Sequence, residues 1–254
     1  MLAGEADWDD PLERHEDFLA EYVARQNVQT NEVQRSWVLV PAFLYATHGA
    51  EPLDVVELGS SAGLNLAFDR YRCDYRHGSH GPEDAELVLR GEERRPVPRE
   101  FLEQPLPIRS RIGIDRAPID VCTENGLRLL ESFVWPGQDE RVERLHAAVE
   151  AVRADPPAIV AGDILEVLPG VLEALPRDGL TLVFQTGVFE YMTTDARAGV
   201  REILESAERD LVFVSSGQPR AEPRAWGMRI FRPGRSREFL GHADYHGEWL
   251  YYDL

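Results

Sequence analysis

Five short apolar runs recur along the chain, each ending in a small or acidic residue. They read "LDVVELG" (53–59), "RIGID" (111–115), "PAIVAGD" (157–163), "LTLVFQTG" (180–187) and "DLVFVSSG" (210–217). Runs of this length, β-branched and without polar alternation, suit strands buried on both faces. Stretches with helical spacing lie between them, clearest in "DERVERLHAAVEAVRA", where Val142, Leu145, Val149 and Val152 share one face. Strands alternating with helices predict an α/β fold with a doubly wound, mostly parallel sheet. After residue 225 the pattern changes to "WGMRIFRPG" and "EWLYYDL", strand-like runs with no helix between them. These predict an antiparallel C-terminal hairpin at the sheet edge.

Residues 10–48 carry helical spacing through Phe18, Tyr22 and Val28, then Trp37, Leu39, Val40, Phe43 and Leu44. Two N-terminal helices are expected, with Pro41 breaking the second run. The predicted organisation is a helical cap over residues 1–50 and an α/β domain over 51–254. An Arg- and Pro-rich insertion at about 70–110 interrupts that domain, with a short hairpin around "AELVLRG".

Charge and composition exclude several functions. With 27 basic and 45 acidic residues the formal charge is 27 − 45 = −18. A phosphate backbone is repelled by most of such a surface, so no nucleic acid partner is expected. All 27 basic residues are Arg, which rules out a Walker-type phosphate Lys, a Schiff base and a Lys general base. Cys73 and Cys122 form neither a disulfide framework nor a C-x-x-C pair. No run approaches the roughly 18 consecutive apolar residues of a membrane span, and the acidic start does not resemble a signal peptide. A soluble, cytoplasmic protein acting on a small molecule is expected, with no metal.

The first strand runs into "GSSAG", Gly59 to Gly63. These letters fit G-x-S-x-G, in which Ser61 would be a nucleophile, with Asp163 and His242 or His246 following in chain order. They also fit a small-residue turn that lets a nucleotide-like ligand approach the backbone, or a tight strand-to-helix turn with no ligand. A hydrolase elbow needs several strands and an oxyanion loop before it, whereas the residues upstream read as helical. The later strand ends favour the ligand, because Asp115 closes "RIGID" and Asp163 closes "AIVAGD". Each Asp alone is equally well a helix N-cap. Together they place acids along one edge of one sheet, where ribose hydroxyls are held in doubly wound folds.

With these residues in view, "VVELGSSAGLN" resembles motif I of class I S-adenosylmethionine-dependent methyltransferases. "GID" ending at Asp115 is similar to their ribose-binding strand end, and "GDI" at Asp163 to the motif facing adenine. The resemblance implies that Glu57, Gly59, Ser60, Ser61, Ala62, Gly63 and Asn65 surround the methionine part. It further implies that Asp115 takes the ribose, Asp163 and Ile164 the adenine, and that Gln185 lies beside the sulfonium. "VQTNEVQRS", "ELGSSAGLNLAFDRY", "IDRAPID", "VWPGQDERVERL" and "YHGEWLYYD" resemble, over nearly the whole chain, an uncharacterised bacterial family placed in the same Rossmann-like methyltransferase fold. Two features depart from the superfamily. Asp115 follows Gly63 by 115 − 63 = 52 positions, against roughly 20 in a compact unit. Strand four ends in "VFQTGVFEYM" rather than an Asn/Asp-Pro-Pro-aromatic signature, which disfavours methylation of base amines.

Methyl transfer needs alignment and at most one base, so no loud catalytic motif is required. The catalytic candidates are Gln185, Glu190, Tyr191 and His246. Asn31, Glu32, Arg35 and His246 are the substrate candidates. Glu32 and Arg35 stand at helical i, i+3 spacing, either as an ion pair on a solvated helix or as a polar wall over the ligand mouth. Arg220, Arg224, Arg229, Arg232, Arg235 and Arg237 crowd the segment after strand five. They either decorate a solvated hairpin or turn at least two guanidiniums toward a cleft beside Gln185 and His246, to hold an anionic acceptor.

Overall fold

The computed structural model describes residues 13–25, 29, 31–50, 52–217 and 225–254. The chain divides into two compact units, Met1–Thr30 and Asn31–Leu254. In the first, helix α1 (Glu16–Arg25) stacks the rings of Phe18 and Tyr22, one turn apart, at 5.8 Å. Val28 lies outside the described residues.

The second unit starts with α2 (Arg35–Thr47), which runs straight through Pro41 instead of breaking there. Proline lacks the N–H that would bond the carbonyl of Trp37, one turn back. That carbonyl accepts the Tyr75 hydroxyl at 2.7 Å, and the next one, of Val38, accepts the Tyr252 hydroxyl at 2.8 Å. Two buried tyrosines thus supply donors where the helix is weakened. Twelve of the thirteen α2 residues are buried, so this helix is part of the core beside the sheet.

Then follow β1 (Leu53–Leu58), a 3-10 segment at Leu64–Arg70, β2 (Arg72–Tyr75), β3 (Gly78–His80), β4 (Val88–Leu89), β5 (Glu92–Glu93) and α3 (Arg99–Leu102). The wound part continues with β6 (Ile108–Asp115), α4 (Glu124–Ser132), α5 (Asp139–Arg153), β7 (Ala158–Ala161), α6 (Ile164–Ala174), β8 (Leu180–Gln185), α7 (Val188–Tyr191), α8 (Thr194–Ser206) and β9 (Leu211–Gly217). It ends in β10 (Ala225–Phe231), β11 (Glu238–Asp244) and β12 (Trp249–Tyr252). On α5, Leu145, Val149 and Val152 are buried with Ala148, and Val142 is half-buried.

Nine strands form one sheet in the order β5-β12-β11-β10-β9-β8-β1-β6-β7. β1 pairs in parallel with both β6 and β8, with β7 outside β6 and β9 outside β8. The chain winds outward from β1 through β6 to β7, then returns and winds the other way through β8 to β9. This doubly wound, Rossmann-like order opens a crevice at the carboxyl ends of β1 and β8, where the winding reverses. Every residue of β1 and β8 is buried, as their mostly apolar runs imply, and the polar ones among them, Asp54, Glu57, Thr181 and Gln185, are buried too. One core cluster joins α2, the 3-10 segment and α5 to one face; the other joins α6 and α8 to the opposite face.

Three elements differ from expectation. The C-terminal edge is a meander of β10, β11 and β12 rather than one hairpin. β11, "EFLGHAD", escapes a pattern search because Gly241, His242 and a register shift opposite Met228/Arg229 interrupt its alternation. In the insertion, "AELVLRG" forms no hairpin; Val88–Leu89 pairs in parallel with Arg72–Cys73, while β2 and β3 make the hairpin. Strand β6 begins at Ile108 rather than 111, since Arg109 and Arg111 are not surface decoration. They bond Asp54 and Asp69 at 2.5 and 2.6 Å.

Candidate functional site

The turn after β1 is built by backbone. Gly59 has φ +75°, and a methyl group there would sit 2.5 Å from Val188 Cβ; Gly63 has φ +74°, and a methyl group there would meet Ile159 Cδ1 at 3.2 Å and Pro157 Cβ at 3.3 Å, closer than ordinary van der Waals contact. The space over each glycine is therefore filled by protein, not left for a ligand. Both are required by the left-handed backbone, and Gly59 also by the close approach of α7. Ser61 holds φ +53° as well and donates its N–H to Asp115 Oδ2 at 2.7 Å. Asp115 Oδ1 accepts from Ala117 N–H at 2.9 Å. The acid ending the second wound strand thus ties down the loop of the first, despite the long insertion between them. No strand precedes β1 among the described residues, so the upstream half of a hydrolase elbow is not seen.

Glu57, on the last turn of pleat before the loop, is 1% exposed, and its Oε2 has no hydrogen-bond partner among the described residues. Burial pushes its carboxyl well above the usual range; the positive charge of Arg35 opposes this and Asp115 adds to it. Ser60 is fully buried and its Oγ is likewise without a partner. Asn31 donates to Ser60 O at 2.9 Å, and Asn65 accepts from Ser36 Oγ at 3.0 Å, so the α2 end and the loop are one network. Ala62 is buried in the core at the same turn.

Arg35 and Glu32 are buried, and they do not form a solvated pair. Glu32 meets Arg141 at 2.6 Å and Arg144 at 3.8 Å on α5. Arg35 points the other way, donating to Tyr245 O at 2.9 Å and Thr186 O at 3.2 Å, with its guanidinium 4.8 Å from the Trp226 ring centre. Burial lowers the Arg35 pKa, and the neighbouring Glu32 opposes the shift. It clamps α2 to the carboxyl ends of β8 and β11.

The other sequence candidates divide. Gln185 is fully buried and committed: Nε2 donates to Ser215 Oγ and Ser216 O at 2.8 and 2.5 Å, and Oε1 accepts from Gly187 N–H at 3.0 Å. Glu190 accepts from Trp226 Nε1 at 3.0 Å. Tyr191 is 83% exposed. His246 follows β11 with its ring 4.3 Å from that of Tyr245, near the Arg35 clamp. Asp163 caps α6 through Leu165 N–H at 2.8 Å and bonds Arg116, which together hold its carboxyl below its usual value. Ile164 is buried in the α6 face.

Of the clustered arginines, Arg229 and Arg237 line a cavity of ≈ 380 Å³ with Ser215 and Glu190. Arg232 instead caps Ala46 O at 2.6 Å, and Arg235 is exposed. Arg220 and Arg224 lie outside the described residues. His246 does not line this cavity. Trp226, Tyr245 and the α8 residues Arg197 and Arg201 were not singled out from sequence. The residues with which they line or close the site lie far away in the chain, so no local spacing marks them. Among the described residues no group of His, Cys, Asp and Glu could hold a metal ion, and no helix is long and apolar enough to cross a membrane.

A doubly wound sheet with a buried acid, a left-handed loop and a second acid at its switch point defines a Rossmann-like α/β protein. The chain belongs to a family of uncharacterised proteins conserved in bacteria, DUF2332, whose model matches residues 4–252. No curated protein matches the sequence. Solved structures similar to it include the methyltransferase domain of a bacterial Hen1, at 15% identity and TM-score 0.33, covering 75% of this chain and 68% of that one. Another is an S-adenosylmethionine-dependent methyltransferase from Clostridium acetobutylicum, at 11% identity and TM-score 0.30, covering 94% and 79%. A third is an O-methyltransferase from Bacillus cereus, at 10% identity and TM-score 0.27, covering 85% and 69%. The fold rests on the strand order itself.

Proposed function

We propose that the crevice at the ends of β1 and β8 binds S-adenosylmethionine and that the protein is a methyltransferase for a small molecule. The observation that carries this reading is Glu57, a buried carboxylate with an unpartnered oxygen beside the switch point. Burying an acid without a partner is costly, and a cationic ligand group removes that cost. The α-amino group of the methionine part has the required chemistry. Ser60 Oγ offers a second unpartnered atom at the same turn. Asp115 spends one hydrogen bond per oxygen on backbone N–H groups; a carboxylate has about four acceptor positions, so capacity for ribose hydroxyls remains. Asp163 fits less well, being committed to its cap and to Arg116. When bound, the cofactor supplies an electrophilic methyl group on a sulfonium; the protein's part is to hold it and to exclude water.

A binding role without chemistry is favoured by one observation. Gln185 is engaged in holding β8 to β9, so it is not free to serve as a base or a substrate contact. The two readings share the ligand and differ in turnover.

The test is calorimetry with S-adenosylhomocysteine. Charge-assisted hydrogen bonds contribute about 1.5–3 kcal/mol, so Asp115→Ala should weaken binding by roughly tenfold to a hundredfold, and Asp115→Asn by less. Absence of binding to the wild-type protein would overturn the reading. Binding without turnover of S-adenosylmethionine over a metabolite panel would select the non-catalytic form.

A further inference from the structure

We propose that the arginine-lined cavity beside the crevice is a binding site for a small organic oxyanion carrying an apolar body. Four guanidiniums from three elements meet there: Arg197 and Arg201, one turn apart on α8, Arg229 on β10, and Arg237 just before β11. The chain carries a net charge of −18, and arginines elsewhere in it pair with acids, as Arg70, Arg109, Arg116, Arg141 and Arg153 do. Among the described residues, none of the four in the cavity forms an ion pair. Arg197 donates to Met192 O at 3.1 Å and Arg229 reaches Gly227 O at 3.4 Å, and both contacts are to backbone carbonyls. Among nearby acids, Glu205 receives the Gly234 N–H at 2.8 Å and Glu190 receives Trp226 Nε1 at 3.0 Å.

Four like charges held together against a single lining acid, Glu190, are unfavourable. Burial, then the charges of Arg237 and Arg197, lower the pKa of Arg201; burial, then Arg237, lower that of Arg229. Arginine does not relieve this by losing its proton at neutral pH. An anion relieves it, and the planar guanidinium fork matches carboxylate or phosphate oxygens two at a time. Phe189, Phe213 and Phe231 supply the apolar part of the lining. A ligand that matches both is an organic acid or phosphate ester, not a bare ion. The cavity of ≈ 380 Å³ is within the usual size for such molecules.

The cavity touches the crevice through Ser215, which bonds Gln185, and through Glu190, which bonds Trp226 under the Arg35 guanidinium. As the place of a methyl acceptor the site rests on the methyltransferase reading. As an anion site it does not, and its test needs no cofactor.

The test is calorimetry with phenyl phosphate, isophthalate and neutral benzyl alcohol. At least one anion should bind with Kd below about 1 mM, benzyl alcohol should not, and affinity should fall as salt rises from about 50 to about 300 mM. Preference for phenyl phosphate would assign a phosphate ester and preference for isophthalate a dicarboxylate; either supports the site. The double variant R201Q/R237Q should bind at least about tenfold more weakly. Should that variant melt early, the exposed Arg237→Gln alone carries the comparison, with a loss of about threefold or more. Binding of neither anion, equal binding of the neutral alcohol, or unchanged affinity in Arg237→Gln would overturn the proposal. Failure of S-adenosylhomocysteine to bind, with phenyl phosphate still bound, would remove the methyltransferase reading and leave this site standing.

Discussion

Strand β1 buries two carboxylates three residues apart, Asp54 and Glu57, each 1% exposed, and treats them in opposite ways. At the amino end, Asp54 accepts from Arg109 at 3.1 and 2.5 Å and from Ser110 Oγ at 2.6 Å. Burial alone would raise its carboxyl, but these hydrogen bonds and the charge of Arg109 hold it below its usual value. At the carboxyl end, Glu57 keeps an unpartnered oxygen and burial pushes it well up. The same strand therefore carries a completed structural site at one end and an unfinished one at the other. Incomplete pairing, rather than burial of charge, is what distinguishes the end proposed to bind the ligand.

The largest effect tests the completed end. Removing one partner of a buried ion pair leaves the other unsatisfied, and Asp54→Ala should cost about 3 kcal/mol in urea denaturation. The figure is at the low end because Arg109 is 27% exposed and retains Asp178 at 3.1 Å. Affinity for S-adenosylhomocysteine should not change. A stability unchanged in Asp54→Ala would erase the contrast on which the assignment of the two ends depends.

The next effect has opposite sign. A carboxyl raised by folding stabilises the native state below the unfolded value of about 4.3 and loses that contribution as pH rises through the folded value. A depressed one, as at Asp54, contributes above about 3.9 and is lost on acidification. Without ligand, Glu57→Gln should thus be more stable than wild type by on the order of 1 kcal/mol at pH 8, with the gain vanishing near pH 4. The same variant should lose cofactor affinity. Thermal melts at the two pH values check the sign, and a gain that is equal at both would mean that ionisation of Glu57 is not the cause.

How far the sequence reaches is visible in these residues. The inner strands β1, β8 and β9 were legible because they are almost wholly buried and mostly apolar. β7 was legible as an apolar run, but as the terminal strand of the sheet it is largely exposed rather than buried on both faces, and β6 beside it is mostly half-buried. Glu57, the loop and Asp115 were legible because strand ends in this topology fall on one edge, whatever the insertion length. The antiparallel edge was less so, since β11 contains Gly241 and His242 and pairs through a register shift. Pro41 misled for a physical reason: the donor that it removes is replaced by Tyr75, 34 positions away, and no local rule sees that. The arginine cavity was half legible. Arg229 and Arg237 stood out as a cluster, but Arg197 and Arg201 look like the polar face of an ordinary amphipathic helix until α8 is laid against β10.

The smallest effect concerns Ser61, the residue whose letters suggested a nucleophile. Its backbone holds φ +53° and gives an N–H to Asp115. A left-handed conformation costs a side-chain-bearing residue about 1–2 kcal/mol, and glycine escapes that cost while losing up to about 1 kcal/mol more chain entropy on folding. Ser61→Gly should therefore stabilise by about 0.5 kcal/mol, whereas Ser61→Ala, still strained, should not. Both variants keep the N–H that bonds Asp115, so both should retain S-adenosylhomocysteine affinity within about threefold. A fluorophosphonate probe should fail to label the wild-type protein. Labelling that disappears in Ser61→Ala, with ligand affinity intact, would make the turn a nucleophile elbow after all. A loss of affinity beyond tenfold in Ser61→Ala would instead give the hydroxyl a ligand contact and extend the unfinished end of β1 by one residue.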